Sequence, residues 1–446
     1  MLHWNDLHPY NAVMVVRISA ALNHARLEKA INATLAAHGL TNLTLNRRAG
    51  TFHYAGGSAA CEIKTVATGE NPDAALGAEI EVQLNTAFVP GEPFHPFRFF
   101  LVPEPEGFLL GVVYFHAIAD AAAVLLVARQ IAEMFLNGTN ASAFLPLNFH
   151  PARRGGRLGR MFLLAKILSA LPAQIAALRS SHRLPCRNAG DFSNRFAFFA
   201  LPPETFAAII QAAKAWDVTV NDLLLALLLK CFSRLQPQRL RSPRRQNISI
   251  GGVVNLRKDF GLGNQRIFCP LLGSFTVTHA LPADIRLVAL AQDIRQQTQD
   301  IKRGRLYLGS ALIQTFGRFM FARFSPARQK EFYLKNYPLW GGLTNVNLNF
   351  LWPQAPGEKP ADGFSAVSTG PAVPLVCAVT TAGNRANVAL TWRPAFFSEP
   401  EIGQIKKDFL GLLAQLPMVA DETTAVEFLA GNPAGGGKNP SIINQK

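Results

Sequence analysis

The sequence predicts an α/β (α+β) fold divided into two lobes. Three observations carry this reading. Segments rich in β-branched and aromatic residues alternate along the chain with segments of helical spacing. A basic, glycine-punctuated stretch between residues 134 and 190 separates two such alternating halves. The chain is 446 residues long, with 49% apolar and 16% charged residues. That is enough to bury sizeable cores and excludes a mostly disordered chain.

The elements follow in order. NAVMVVRISA reads as a strand and LNHARLEKAINATLAAHG as a helix. Asn23 is placed to cap that helix, Leu27, Ile31 and Leu35 share one face, and Gly39 ends it. TFHYA offers a short strand and PDAALGAEIEVQLNTAF a helix. PFRFFLVPEPEGFLLGVVYF reads as two strands joined by a turn at Pro103–Gly107. A helix follows from about Ala121 to Leu136, stopped by Asn137-Gly138.

Residues 134–190 contain no Asp or Glu, but hold Arg153, Arg154, Arg157, Arg160, Lys166, Arg179, Arg183 and Arg187. This stretch reads as a connector with an interrupted helix. Beyond it, FSNRFAFFAL is a strand, and Pro202-Pro203 opens a helix to about Trp216. Thr219 and Asp222 form a capping-box start for LLLALLLKCFSRL, which is apolar all round and should be buried. Further strands are expected at NISIGGVVNLR, GSFTVTHAL, TNVNLNF, VPLVCAVTT and ANVALTWR, and a last helix over Glu401 to Leu416. The expected division is 1–150, a first lobe; 151–190, a basic connector; 191–418, a second lobe; and 419–446, a glycine-rich tail expected to be mobile.

Lys plus Arg total 44 against 29 Asp plus Glu, a net charge of +15. This implies an anionic partner surface: nucleic acid, anionic lipid, an acidic carrier protein or a phosphorylated cofactor. Nucleic acid fits poorly, because the phenylalanines sit in apolar strands rather than between basic residues. The five cysteines are scattered, odd in number and form no CxxC, so neither a metal site nor a disulfide scaffold is expected. That usage, with no secretory signal at the N-terminus, points to the cytoplasm. Residues 161–178 approach the length of a membrane span but carry Lys166, Pro172 and Gln174. The region 153–187 suits either an interfacial helix making a peripheral membrane contact or a solvated linker packed on the second lobe.

The motif that carries chemistry is His116-Ala117-Ile118-Ala119-Asp120, between the end of an apolar strand and the start of a helix. A histidine there can project into a cleft, and its ordinary pKa suits general-base work. The plainer readings are a satisfied core histidine and an Asp120 that only caps the helix.

The strand–HxxxD–helix unit resembles the active-site segment of the condensation-domain and coenzyme A-dependent acyltransferase superfamily. Alcohol acetyltransferases, wax ester synthases and polyketide-associated acyltransferases belong to that group. Other segments match in the same order: the opening strand and helix from His8, LNTAFVPGEPFHPFRFFLV, VTVNDLLLALLLKCF, VVNLR, LTNVNLN and ALTWRPAFFSEPEIGQIKKDFLGLL. The resemblance spans about residues 8–417.

It implies two chloramphenicol-acetyltransferase-like lobes in a V with a central tunnel. It also implies transfer of an acyl group from a thioester to a hydroxyl or amine acceptor. His116 would be the base, and Asp120 would be structural, paired with Arg257, unless Arg257 simply meets Asp259 or a phosphate. The resemblance implies no permanently bound cofactor. A coenzyme A or acyl-carrier thioester would serve as co-substrate and a small molecule or lipid as acceptor, with an acyl carrier protein as a candidate partner. Asn345 would face the tunnel and bind substrate, or be a strand-edge residue making backbone bonds. Ser274 or Thr276 would give an oxyanion donor, or make local strand bonds.

Two departures matter. Phe115 stands where many condensation domains have a second histidine, and Ala121 where many have glycine. They weaken peptide condensation more than ester formation. DFGLG at 259–263 is similar to a plant acyltransferase signature, or is simply a glycine-containing loop. The rival functions are a free-standing condensation enzyme forming amide bonds between carrier-bound substrates, and a non-catalytic scaffold.

Overall fold

The computed structural model describes residues 2–46, 51–57, 61–88, 93–138, 157–262, 267–310, 317, 321, 323–336, 338–352 and 362–416. The expected mobile tail, all of 139–156 and Gly263 of the DFGLG run therefore lie outside the described residues.

The first half builds α1 (Leu2–Asn5), β1 (Asn11–Ile18), α2 (His24–Ala37), β2 (Leu43–Asn46), β3 (Thr51–Tyr54) and β4 (Ile63–Thr65). It continues with α3 (Pro72–Asn85), β5 (Phe97–Glu104), β6 (Gly107–Phe115) and α4 (Ala121–Asn137). After α5 (Arg157–Arg179) come β7 (Arg195–Leu201), α6 (Pro203–Ala215), α7 (Val220–Leu235), β8 (Ile248–Asn255), β9 (Leu272–His279) and α8 (Leu287–Gly304). The chain closes with α9 (Pro326–Asn336), β10 (Leu339–Asn347), α10 (Leu348–Leu351), β11 (Gly363–Val367), β12 (Leu375–Ala382), β13 (Arg385–Trp392) and α11 (Glu399–Leu413).

Two large sheets organise the molecule. The first runs β11-β1-β6-β5-β4 and the second β7-β13-β12-β10-β8-β9. β1 and β6 are buried almost throughout, so neither strand alternates polar and apolar residues. Each sheet carries its own core. α2 and α4 cover the first, with Leu27, Ile31, Leu125 and Ile131 fully buried. α6, α7, α8 and α11 cover the second around Leu223, Leu227 and Phe232. The caps expected from the sequence are present: the Asn23 side chain accepts from Arg26 N at 3.0 Å, and Thr219 and Asp222 close a reciprocal capping box. Burying these two cores is the main stabilising contribution.

The structure corrects the expected layout in two places. β11 belongs by position to the 191–418 segment, yet it pairs antiparallel with β1 and completes the first sheet. Phe198 of β7 stacks on Phe364 of β11 at 4.8 Å, so the two sheets meet through these edge strands. The second correction is α5, a single helix from Arg157 to Arg179 with Pro172 inside it rather than an interrupted one. Gly155 and Gly156 precede the helix, and the backbone bond lost at Pro172 lies on an exposed face.

Candidate active site

The HxxxD segment sits where β6 ends. The backbone N–H of His116 donates to the carbonyl of Tyr10 at 3.2 Å, and Ile118 N turns back onto the Phe115 carbonyl at 3.1 Å. The chain leaves the sheet, turns tightly, and enters α4 at Asp120 in extended geometry.

His116 is held on one side only. Its Nδ1 lies 3.0 Å from the carbonyl oxygen of Ala119. A carbonyl can only accept, so Nδ1 carries the proton and Nε2 keeps its lone pair. The ring stacks on Tyr10 at 5.1 Å and meets Tyr114 edge-on at 5.7 Å. It is buried, with 9% of the residue's surface exposed. Burial lowers its pKa from the ordinary value, outweighing the upward pull of the Ala119 carbonyl and the Asp120 charge. The imidazole is therefore neutral at pH 7, the form that can accept a proton.

Asp120 is saturated. Arg257 donates to both its oxygens, at 2.7 and 3.0 Å, Ala123 N donates at 2.9 Å and Leu271 N at 3.0 Å. Four bonds fill the sites a carboxylate offers, so Asp120 has no free lone pair to take a substrate proton. The cap reading and the ion-pair reading of this residue both hold. Arg257 in turn reaches the Cys269 carbonyl at 3.3 Å and Asn255 Oδ1 at 3.3 Å. One buried carboxylate thus ties the histidine turn to the strand β8 exit and to the residues that lead into β9.

The remaining expected residues are not gathered here. Asn345 is exposed on β10 and donates to Asn221 Oδ1 at 2.8 Å. Ser274 is exposed on β9, its backbone N–H donating to Ser310 Oγ at 3.3 Å, and Thr276 is half-buried on the same strand. No contact joins any of them to His116 among the described residues. Asp259 of the DFGLG run accepts from the Tyr307 hydroxyl at 2.7 Å, a local anchor for its loop.

Sequence reasoning missed Tyr10 and Tyr114. Tyr114 could have been found, since it stands near the end of β6 only two residues before His116; nothing in the sequence pairs Tyr10 with the motif. Tyr10 also meets Trp4 edge-on at 5.2 Å, and Trp4 Nε1 donates to the Tyr333 hydroxyl at 2.9 Å. A small groove lined by Arg183, Tyr333, Pro371, Arg393 and Phe396 begins beyond these rings, and its lining does not include His116. Among the described residues no His, Cys, Asp or Glu cluster is arranged to hold a metal ion.

No protein-family model matches the chain, and neither does any curated protein. Solved structures do. The first condensation domain of the calcium-dependent antibiotic synthetase, in complex with a substrate analogue, superposes with a TM-score of 0.67 at 16% identity, covering 93% of this chain and 94% of that one. SgcC5 from Streptomyces globisporus, in complex with a naphthyl ethanediol and sucrose, gives 0.62 at 15% identity over 91% and 92%. VibH, a condensation enzyme of nonribosomal peptide synthesis, gives 0.60 at 12% identity over 98% and 100%. Likenesses this distant in sequence and this complete in coverage establish the fold: the chain has the two chloramphenicol-acetyltransferase-like lobes of the condensation domains.

Proposed function

We propose that the protein is an acyltransferase that moves an acyl group from a thioester to a hydroxyl acceptor or, as the second choice, an amine. His116 is the general base. The observation that carries this reading is the His116 tautomer: Nδ1 is committed to the Ala119 carbonyl, and a neutral Nε2 is left with a lone pair.

The acceptor gives its proton to Nε2 as its oxygen attacks the thioester carbonyl. The tetrahedral intermediate collapses and the carbon–sulfur bond breaks. The departing thiolate takes the proton back from Nε2, so ester and free thiol leave and the imidazole is regenerated. Asp120 and Arg257 hold the histidine turn against the second lobe and touch no reacting atom. Coenzyme A and an acyl carrier protein are both suitable thioester carriers, and a small molecule or a lipid is a suitable acceptor. Asn345 and Ser274 are the substrate-contact candidates of the second lobe, on its β10 and β9. SgcC5 was solved with a diol, which supports a hydroxyl acceptor on this fold. Phe115 and Ala121 point the same way.

The test is a panel of coenzyme A and carrier-bound thioesters against hydroxyl and amine acceptors, read by mass spectrometry and by thiol release. One pairing should give product, and His116→Ala should lower its rate by about 10²–10⁴-fold. Products limited to amides between carrier-bound substrates would establish the condensation alternative. No product from the panel, together with unchanged cellular function of His116→Ala, would establish the scaffold.

A further inference from the structure

Arg393 is a buried cation whose charge the described residues leave unanswered. It follows β13 directly and is 2% exposed. Its guanidinium lies over the rings of Phe192 and Phe396, at 4.7 and 4.8 Å. Only Nη2 makes a hydrogen bond, to the Pro371 carbonyl at 3.3 Å. Nε and Nη1 are buried without a partner. Asp191 attracts the guanidinium from a distance, but its Oδ1 accepts from Ser193 N and Oγ. The other two buried arginines among the described residues are answered: Arg257 by the Asp120 carboxylate, and Arg239 by the carbonyls of Ser233, Ala280 and Leu281. A guanidinium keeps its proton even when buried, so the charge of Arg393 calls for an anion.

A second cation shares the groove beside it. Arg183 lines that groove with Arg393, Tyr333, Pro371, Pro374 and Phe396, and the lining holds no Asp or Glu. Arg183 has no carboxylate partner among the described residues, and the charge of Arg245 repels it. Lys330 adds positive charge nearby, its Nζ 4.5 Å from the centre of the Phe192 ring. Two guanidinium groups without a carboxylate suit the oxygens of a phosphate. The groove is small, which fits a single phosphate group rather than a nucleotide's rings. A half-buried Phe396 forms one wall, so a shift of that side chain would open the guanidinium to an incoming anion.

We propose that this groove is a phosphate-binding site, with Arg393 as its buried contact and Arg183 as its outer one. Tyr333 on its wall accepts from Trp4 Nε1, and Trp4 and Tyr10 lead ring to ring to His116. The phosphate of a phosphopantetheine arm, common to coenzyme A and carrier thioesters, is one source of the group, and free phosphate is the other. The first source rests on the acyl-transfer reading; the site itself does not.

Isothermal titration calorimetry of the full chain with inorganic phosphate, against chloride at matched ionic strength, tests the site without turnover. Phosphate should bind saturably and chloride should not. Arg393→Met keeps an apolar chain beside the two rings and should weaken binding by about tenfold or more. Arg183→Ser should weaken it by about threefold or more, and Arg241→Ser, at an exposed arginine outside the groove, should leave it unchanged. If Arg393→Met folds poorly, the contrast between Arg183→Ser and Arg241→Ser decides. Displacement of phosphate by phosphopantetheine but not by pantetheine would name the thioester arm as the source, and no displacement would name free phosphate; the site stands in both cases. No saturable binding by the wild type overturns the proposal, as does unweakened binding by a folded Arg393→Met. Equal weakening by Arg183→Ser and Arg241→Ser also overturns it, since the net charge of +15 alone would then attract the anion.

Discussion

Two buried aspartates open two of the most apolar helices, one in each half, and they are wired differently. Asp222, at the third position of α7, accepts from the Thr219 backbone and hydroxyl at 2.9 and 2.6 Å. It also accepts from the Thr298 hydroxyl at 2.7 Å, and Arg295 stands 3.5 Å away. All these partners lie on α7, its cap, or the adjacent α8. Asp120 caps α4 itself and spends most of its bonds on the other half of the molecule, on Arg257 and Leu271. Both are 1% exposed, so both must be fully partnered. The difference is what the partners hold: one carboxylate closes a helix start, and the other fixes the position of a histidine four residues upstream.

The largest expected effect tests that difference. Asp120→Asn leaves Arg257 as a buried cation without its carboxylate, and should cost about 3–5 kcal/mol in chemical denaturation. The rate of acyl transfer should fall with it, even under conditions where the variant is still folded. Asp222→Asn removes hydrogen bonds within its own half, and should cost about 1–3 kcal/mol with kcat/KM unchanged. Equal losses of kcat/KM in the two folded variants would erase the distinction.

The contrast also explains what the sequence makes legible. Thr219 and Asp222 are three residues apart, so their capping box can be read locally and the structure has it. The motif His116–Asp120 and the helix after it are local in the same way. The closure by Arg257 is 137 residues distant; only the resemblance, with its ordered segments, suggested it. Leu271 N and Tyr10 carry no pattern that would link them to Asp120 or His116. β11 escaped notice because it is only five residues long and joins a sheet whose other strands all precede it by more than 200 positions. α8 was readable from the burial spacing of Leu290, Ala291, Ile294 and Thr298, but its polar composition hid the stripe.

A smaller effect separates the two sheets by packing. Gly111 on β6 faces Phe100 on β5, and Gly252 on β8 faces Phe275 on β9. In each pair the ring lies over the glycine, so an added methyl would come within 2.1 Å of Phe100 or 2.4 Å of Phe275. Phe100 is fully buried and has no free direction to move. Phe275 is only half-buried and can tilt outward. Gly111→Ala should therefore cost about 1–3 kcal/mol, measured as a shift in denaturation midpoint, and Gly252→Ala clearly less. The reverse order would mean that backbone movement, not ring burial, sets the cost.

The smallest effect is on pH dependence, and it concerns His116 alone, since no histidine stands at the start of α7. Burial holds the His116 pKa below 6.5 in the folded chain. The base form then predominates above pH 6.5, and activity should fall as pH drops through the lowered pKa. Stability follows the same sign. Between the lowered folded pKa and the ordinary unfolded value the unfolded chain binds more protons, so protonation of this site erodes stability as pH falls below 6.5 and adds nothing further below the folded pKa. Tyr10 covers one face of the ring at 5.1 Å. Tyr10→Ser should admit water and raise the pKa towards 6.5, so the acid limb of kcat/KM moves to higher pH by less than one unit. The Ala119 carbonyl bond and the Asp120 charge remain in that variant, so any upward shift reports rehydration rather than a new partner. An acid limb that stays in place after Tyr10→Ser would show that Tyr114 and the turn, not the stacked ring, keep the imidazole dry.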